Sequence, residues 1–175
     1  MAKFIVSAPI IVPTTKLKSG MKQINVEELK DRAKTDPDFS KLLDSAGVYV
    51  FSIKAGKGEK PWYVGRTTKQ TFLREAFNDR NIRRLHALIN DRKGTLKLTL
   101  ISQKRVIKNQ PNTQQIGEME YFLIGYAHER NPEILNTQNT LQEDGFVIEG
   151  VYNENKKDLG KTKTQRNFQK LIGFE

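Results

Sequence analysis

The chain has 175 residues, no cysteine and two histidines, and 30 lysines and arginines against 20 aspartates and glutamates give it a net charge of +10. This length suits one domain with a hydrophobic core, and the lack of cysteine excludes disulfides, thiolate zinc sites and a thiol nucleophile. The sequence contains neither an apolar run long enough for a membrane span nor a secretory signal, so we expect a cytoplasmic protein.

The positive charge is concentrated in two parts of the chain. Nine basic and three acidic residues lie between Lys60 and Lys93, and a second basic stretch follows Val151. Such an excess is typical of proteins that bind a polyanion, because each phosphate that a protein neutralises releases condensed counterions. A solvated basic surface without a partner is the alternative that net charge alone leaves open.

The first part of the chain is predicted to contain two short helices and a β-hairpin. Residues 1–23 show no clear period and are expected to form a loosely attached arm. Capping signals at Asn25 and Asp36 start one helix that ends near residue 34 and another that ends near residue 43. Strands rich in β-branched and aromatic residues follow at 48–53 and 62–64, joined by a loop that contains glycine.

The remaining elements favour an α+β fold. Helices are predicted at about 69–78, 82–92 and 113–129, and alternating leucines predict a half-buried strand at 96–100. A last strand is predicted at 146–152, before the basic tail. Helices, a hairpin, helices, a strand, a helix and a strand, in that order, indicate a small and mostly antiparallel sheet.

Glu120 occupies an unusual position on the helix predicted at 113–129. At 100° per residue it lies about 40° from Ile116, within an apolar stripe that also contains Met119 and Leu123. A carboxylate on the core-facing side of a helix costs on the order of several kcal/mol unless something pairs with it. Glu120 is therefore either half of a structural ion pair with an arginine, or a metal ligand or catalytic acid or base that faces a cleft.

Two tyrosines lie on neighbouring strands of the predicted hairpin. Tyr49 shares a strand face with Phe51 and Ile53, and Tyr63 lies on the returning strand. Packing in the core explains such a pair without any functional role. Arg74 follows Tyr63 by eleven positions, in a basic helix where an isolated surface arginine would have no special meaning.

Considered together, these residues form a recognisable pattern. Gly47-Val48-Tyr49, Tyr63-Val64-Gly65, Arg74, Glu120 and Asn136 resemble the motifs of the GIY-YIG nuclease superfamily. The resemblance covers about half of the chain, and it departs from the family pattern in two ways. Both motif isoleucines are valines here, and the two tyrosines are 14 positions apart, slightly more than in compact members.

The resemblance also implies a fold and a division of the chain. The family's small three-stranded antiparallel sheet flanked by helices would be built from the strands at 48–53, 62–64 and 96–100. A GIY-YIG-like nuclease core would then occupy residues 46–137. An N-terminal helical extension would precede it at 1–45, and a C-terminal strand and basic tail would pack on it at 138–175.

Each matching residue has an implied role in the metal-dependent hydrolysis of DNA. Tyr49 would be the general base or a phenol that positions water, and Tyr63 would be its partner beside the scissile phosphate. Arg74 would contact that phosphate, Glu120 would hold one Mg²⁺ or Mn²⁺ ion, and Asn136 would support the site. A tyrosine has an ordinary pKa near 10, so it serves as a base only where nearby cations favour its phenolate.

Further basic residues are assigned to the site, although the motif does not fix their roles. His86 matches a position where some members carry an auxiliary proton-transfer group, although a packed structural histidine fits its helix at least as well. Arg66 or Lys69 would lower the pKa of a tyrosine, and the motif does not choose between them. Contacts with the DNA backbone are predicted for Arg66, Lys69, Arg80, Arg83, Arg84 and the lysines of the tail.

Three functions are compatible with these residues. The first is a metal-dependent DNA endonuclease, and the second is a catalytically weak or inactive nucleic-acid-binding module of the same fold. The third is a basic interaction domain in which the tyrosines are merely part of the core. The complete set of polar residues favours the first function over the second, and the core-facing position of Glu120 argues against the third.

Overall fold

A computed structural model of the protein describes residues 2–104, 111–136, 146–152 and 154–174. The strands are β1 (Ala2–Val6), β2 (Ile10–Ile11), β3 (Thr14–Lys16), β4 (Lys22–Ile24), β5 (Gly47–Ala55), β6 (Gly58–Thr67), β7 (Thr95–Gln103) and β8 (Phe146–Ile148). The helices are α1 (Val26–Thr35), α2 (Pro37–Ser40), α3 (Phe72–Ala76), α4 (Asp79–Asp91), α5 (Thr113–Arg130) and α6 (Lys163–Ile172).

In the described residues, six strands form one mixed sheet, so the prediction of a small three-stranded sheet is wrong. The strand order is β6-β5-β7-β1-β8, and β2 also pairs with β7. The β6, β5 and β7 strands are the three antiparallel strands that the sequence predicted, and β1, β2 and β8 enlarge the sheet beyond them. The fold is α+β, with β3 and β4 in a separate two-stranded sheet.

The N-terminal strands account for the difference, because the predicted loose arm at 1–23 contains β1 and β2 of the large sheet. The β1 strand instead lies inside the sheet, antiparallel to β7 and parallel to β8. Phe4 is buried and pairs with Gln103, almost a hundred positions away. A five-residue strand with such a distant partner carries no turn signal beside it, and local periodicity does not reveal the pairing.

The hairpin and the C-terminal region also differ in extent from their predictions. The β5 and β6 strands run almost to their turn, where Gly56 has a φ of 56°, so most of the loop predicted at 54–60 is strand. The strand predicted at 146–152 ends at Ile148, and the basic tail contains α6, whose residues Phe168 and Leu171 are buried. The domain boundary placed between 137 and 138 lies outside the described residues.

The large sheet has a hydrophobic cluster on each face. Because strand side chains alternate, Val48 and Val50 face one layer with α5 and α6, while Tyr49 and Phe51 face the other with α1 to α4. The β6 strand lies at the edge of the sheet, so side chains from both layers can meet beside it. None of the helices in the described ranges combines the length and apolarity needed to cross a membrane.

Candidate active site

An open cavity of about 530 Å³ lies beside β6. The structure brings together eight of the residues that the sequence predicted for the site, and they are Tyr49, Tyr63, Arg66, Lys69, Arg80, Arg84, Glu120 and Asn136. They come from β5, β6, the segment after β6, α4, α5 and the segment after α5. Residues that are distant in the sequence therefore line one concave surface.

The two tyrosines contact each other across the hairpin. Tyr49 lies opposite Gly65 in the register of β5 and β6, and its ring centroid is 6.2 Å from that of Tyr63. The Tyr49 hydroxyl accepts a hydrogen bond of 3.1 Å from Nδ2 of Asn81, a buried residue of α4. The same amide group donates to the carbonyl oxygen of Glu75, so the hydroxyl of Tyr49 has a fixed position at the cavity wall.

Gly65 is required for this position of Tyr49. A Cβ atom at residue 65 would lie 2.5 Å from both Cζ and the hydroxyl oxygen of Tyr49.

We expect Gly65→Ala to displace the tyrosine and to lower the free energy of unfolding by about 1–3 kcal/mol, the usual range for overpacking a core. Urea unfolding of Gly65→Ala and of Gly58→Ala measures this effect. Gly58 is the control because a Cβ there meets only the Ala55 carbonyl oxygen, at 3.9 Å; equal stability of the two variants would contradict the expectation.

Burial keeps both phenols in their neutral form. It raises the pKa of Tyr49 far above 10, and the neighbouring Tyr63 and Glu75 act in the same direction. Burial also raises the pKa of Tyr63, although the nearby Arg84 guanidinium opposes this shift. The lowering of a tyrosine pKa by cations that the sequence predicted is thus outweighed by burial.

Glu120 faces the cavity and forms an ion pair at the same time. Its side chain is 17% exposed, and its carboxylate lies 3.3 Å from Nε of Arg66. Gly117, one turn earlier on α5, makes room for this arginine, since a Cβ there would collide with the Arg66 guanidinium. Burial raises the pKa of Glu120, and Arg66 offsets only part of this effect. Both interpretations of Glu120, as an ion-pair partner and as a ligand at a cleft, therefore agree with its surroundings.

A hard divalent cation at this site would have Glu120 and Glu75 as its carboxylate ligands. Within the described part of the chain, no group of three or more histidines, cysteines, aspartates or glutamates is placed to bind a metal. Mg²⁺ does not need such a cage, because it keeps several waters and is often held by one or two carboxylates and the substrate phosphate. Glu120 and Glu75 both line the cavity, and partly buried Glu120 has one arginine near it.

Asn136 supports the cavity by binding the edge of β6. Its side-chain oxygen accepts a 2.8 Å hydrogen bond from the Val64 amide, and its side-chain nitrogen donates a 2.7 Å bond to the Val64 carbonyl oxygen. The Leu135 amide donates to the carbonyl oxygen of Trp62. Asn136 therefore acts as an additional strand partner at the point where the Tyr63-Val64-Gly65 motif lies.

Three predicted residues do not line the cavity. His86 accepts a 3.1 Å hydrogen bond from the Ile24 amide through Nε2, so it contacts β4. Arg74 and Arg83 are exposed on α3 and α4. The contact of Arg74 with the scissile phosphate stays a prediction. Arg84, by contrast, lies at the cavity, with its Cζ atom 5.9 Å from the centre of the Tyr63 ring.

The sequence did not identify Asn81 and Glu75 as members of the site. Asn81 lies on the core-facing side of α4, in line with Leu85 and Leu88, and it is buried. The test that identified Glu120, a polar side chain within an apolar helical stripe, would also have identified Asn81. Glu75 carries no such signal, because α3 is too short to show a period.

In comparisons with protein-family models, curated proteins and solved structures, no match to the chain was found.

Proposed function

We propose that this protein is a metal-dependent DNA endonuclease of the GIY-YIG type that acts in the cytoplasm. One observation carries the proposal. Tyr49, Tyr63 and Glu120, which the motif resemblance selects, meet in one open cavity although α5 follows the hairpin by almost fifty residues. If the tyrosines only packed in the hydrophobic core, there would be no reason for a partly buried glutamate to lie beside them.

Four cationic side chains make the cavity suitable for a phosphodiester. Arg66, Lys69, Arg80 and Arg84 all line it, and all but Arg84 are exposed. Arginine donates two parallel hydrogen bonds to phosphate oxygens, which fixes the orientation of the phosphate as well as its position. Charge that develops on these oxygens during hydrolysis would be stabilised by the same groups.

The other side chains supply the remaining parts of the reaction. The neutral phenols of Tyr49 and Tyr63 would orient the attacking water, and Asn81 would keep the Tyr49 hydroxyl in place. Glu120 would hold one Mg²⁺ or Mn²⁺ ion, which would polarise the phosphate and stabilise the leaving 3′ oxygen. Cleavage by water would leave a 5′-phosphate and a 3′-hydroxyl.

The Arg66–Glu120 ion pair favours a second candidate, a nucleic-acid-binding module with little or no activity. In that case Arg66 neutralises Glu120 permanently, and the cavity binds DNA without cutting it. The nuclease requires Arg66 to leave or share the carboxylate when the cation binds. The Arg66 side chain is 43% exposed, so it can move toward solvent.

Supercoiled plasmid DNA distinguishes the two candidates. We expect the wild-type protein to convert it to nicked or linear forms with Mg²⁺ or Mn²⁺ and to leave it intact in EDTA. Sequencing of the product ends would then report the number of strands cut and the end polarity. A protein that shifts DNA in a gel with either metal but never nicks it would contradict the nuclease and support the binding module.

Because Arg84 lines the cavity and Arg74 does not, the two arginines are expected to contribute differently to cleavage. We expect Arg84→Ala to lower the rate of cleavage by about 100-fold, the usual cost of one group that stabilises transition-state charge. Arg74→Ala, which makes the same change on exposed α3, should have a smaller effect. Initial rates on plasmid at saturating protein measure both. A larger loss for Arg74→Ala would support the motif assignment and contradict the one based on the cavity.

A further inference from the structure

The β3–β4 hairpin has no part in the cleavage proposed above. In the described residues its strands form a sheet of their own, and all three residues of β3 are exposed. A two-stranded hairpin is at best marginally stable in water, so specific contacts must hold it against the protein. Those contacts come from α4, the helix that also supplies Arg80 and Arg84 to the cavity.

The hairpin is attached through two side chains of α4. The Asn90 side chain accepts a 2.7 Å bond from the Lys22 amide and donates a 2.9 Å bond to the Lys22 carbonyl oxygen. One turn earlier, Nε2 of His86 accepts from the Ile24 amide. Asn90 follows Arg84 by six residues, a rise of about 9 Å along the helix and a rotation of about 240° around its axis. The hairpin therefore has a fixed position on α4, on a different side of the helix from Arg84.

The tip of the hairpin exposes an apolar pair. The Leu17 amide donates to the Met21 carbonyl oxygen, and Gly20 closes the turn with a φ of 86°. Leu17 is 44% exposed and Met21 is 56% exposed. The register of β3 and β4 places these residues opposite each other, on the ribbon face that is opposite to buried Ile24. The pair thus faces away from the protein's own core.

The charge of the hairpin indicates a polyanionic partner. Lys16 and Lys22 lie directly opposite each other, and Lys18 is in the turn. Like charges at opposite positions of a ribbon destabilise it, unless an anion lies between them. No acidic residue precedes Glu27 in the chain, so the hairpin itself contains no counter-charge.

We propose that this hairpin is a second DNA-binding element, a ribbon that enters the major groove of the duplex at a distance from the cleaved phosphate. The proposal rests on the proposed function, in which the same duplex occupies the cavity. A two-stranded ribbon fits a groove about 12 Å wide. Leu17 and Met21 contact base edges and thymine methyl groups, while Lys16 and Lys22, on the other face of the ribbon, bind phosphates with their long side chains.

Binding to a short duplex in EDTA, at a series of salt concentrations, tests the ribbon without cleavage. The hairpin triple variant carries Lys16→Gln, Lys18→Gln and Lys22→Gln. We expect it to bind more weakly and to reduce the slope of log affinity against log salt by about 2 to 3, since each phosphate contact contributes about 0.9. The control triple variant, with Lys54→Gln, Lys57→Gln and Lys60→Gln, makes the same charge change at the exposed tip of β5–β6 and should keep the slope.

Two further measurements test the apolar tip and the groove. Leu17→Ser combined with Met21→Ser should weaken binding by about tenfold and leave the salt slope unchanged, because no charge is removed. Protection of guanine N7 from methylation should appear with the wild-type protein and disappear with both hairpin variants. Protection of adenine N3 alone would overturn the assignment to the major groove.

The outcomes separate the ribbon from the nuclease. If the hairpin triple variant binds with the wild-type slope, the ribbon is overturned whether or not the plasmid is cut. If the wild-type protein binds the duplex and never nicks it, the nuclease fails, and a lowered slope for the hairpin variant still supports the ribbon. A wild-type protein that binds no duplex overturns the ribbon. Circular dichroism of each variant should match the wild type, because all the replaced side chains are exposed.

Discussion

Glu120→Gln is expected to reduce cleavage by about 100-fold or more while leaving DNA affinity in EDTA almost unchanged. The amide keeps the size of the side chain but removes the charge that would hold the cation. Loss of the cation's transition-state stabilisation is worth several kcal/mol, and each 1.36 kcal/mol is tenfold in rate, so about 100-fold is the smaller end of the effect. Nicking rates at increasing Mg²⁺ concentrations measure it.

The matched control is Glu118→Gln on the same helix. Glu118 does not line the cavity and accepts a hydrogen bond from Gln114, so this variant should cleave at close to the wild-type rate. Equal rates for Glu120→Gln and the wild type at every metal concentration would rule out Glu120 as the metal ligand. In that case the role of Glu120 would be the structural ion pair with Arg66.

The same substitution has a second expected result, on stability. Because the folded pKa of Glu120 is raised above its usual 4.5, the native state holds the proton more tightly than the unfolded chain. The wild-type protein therefore loses stability as pH rises through 4.5 to the folded pKa, and this loss persists at neutral pH. Glu120→Gln removes that loss, so its melting temperature at neutral pH should equal or exceed that of the wild type. A clear decrease would mean that the ion pair is a net stabilising contact.

Tyr63→Phe is expected to lower the rate of cleavage by about 100-fold without changing the fold. The ring should keep its packing against Phe51 and its contact with Arg84, so only the hydroxyl is removed. Positioned proton-transfer and hydrogen-bonding groups contribute at least this factor to rates. Single-turnover cleavage at saturating protein separates this effect from any change in binding.

The pH dependence of that loss reports the state of the phenol. Since burial raises the pKa of Tyr63, the hydroxyl keeps its proton from about pH 7 to pH 9, and the ratio of wild-type to variant rates should be constant over that range. A ratio that grows with pH would identify a phenolate base instead. Tyr126→Phe, in the aromatic cluster around Phe122, is the control and should not alter cleavage.

The sequence predicted the elements that have strong local signals. The Asn25 cap and the start of α1 are where the capping signal predicted them, and β5, β6 and β7 contain the predicted strands. Local signals do not specify partners, however. The β1 strand pairs with β7 and β8, both about a hundred residues or more away, and the sheet therefore has six strands where the sequence suggested three.

The site shows the same limit at the level of side chains. The sequence identifies four of the cavity residues, because three match motif positions and one is a polar residue within the apolar stripe of a helix. They are Tyr49, Tyr63, Asn136 and Glu120. The partner of Glu120 could not be selected, because Arg66 reaches it across Gly117 from a different element. The neutral state of the phenols was also missed, because it depends on burial in the folded protein rather than on nearby charge in the sequence.

The hydrogen bonds along the outer edge of β6 have a consequence for the behaviour of the protein at high concentration. An open strand edge is a template on which another copy of the chain can add a strand and start aggregation. Here the carbonyl oxygens of Pro61 and Trp62 bind Asn131 and Leu135, and both backbone groups of Val64 bind Asn136. The segment that supports the cavity therefore also protects this edge of the sheet from self-association.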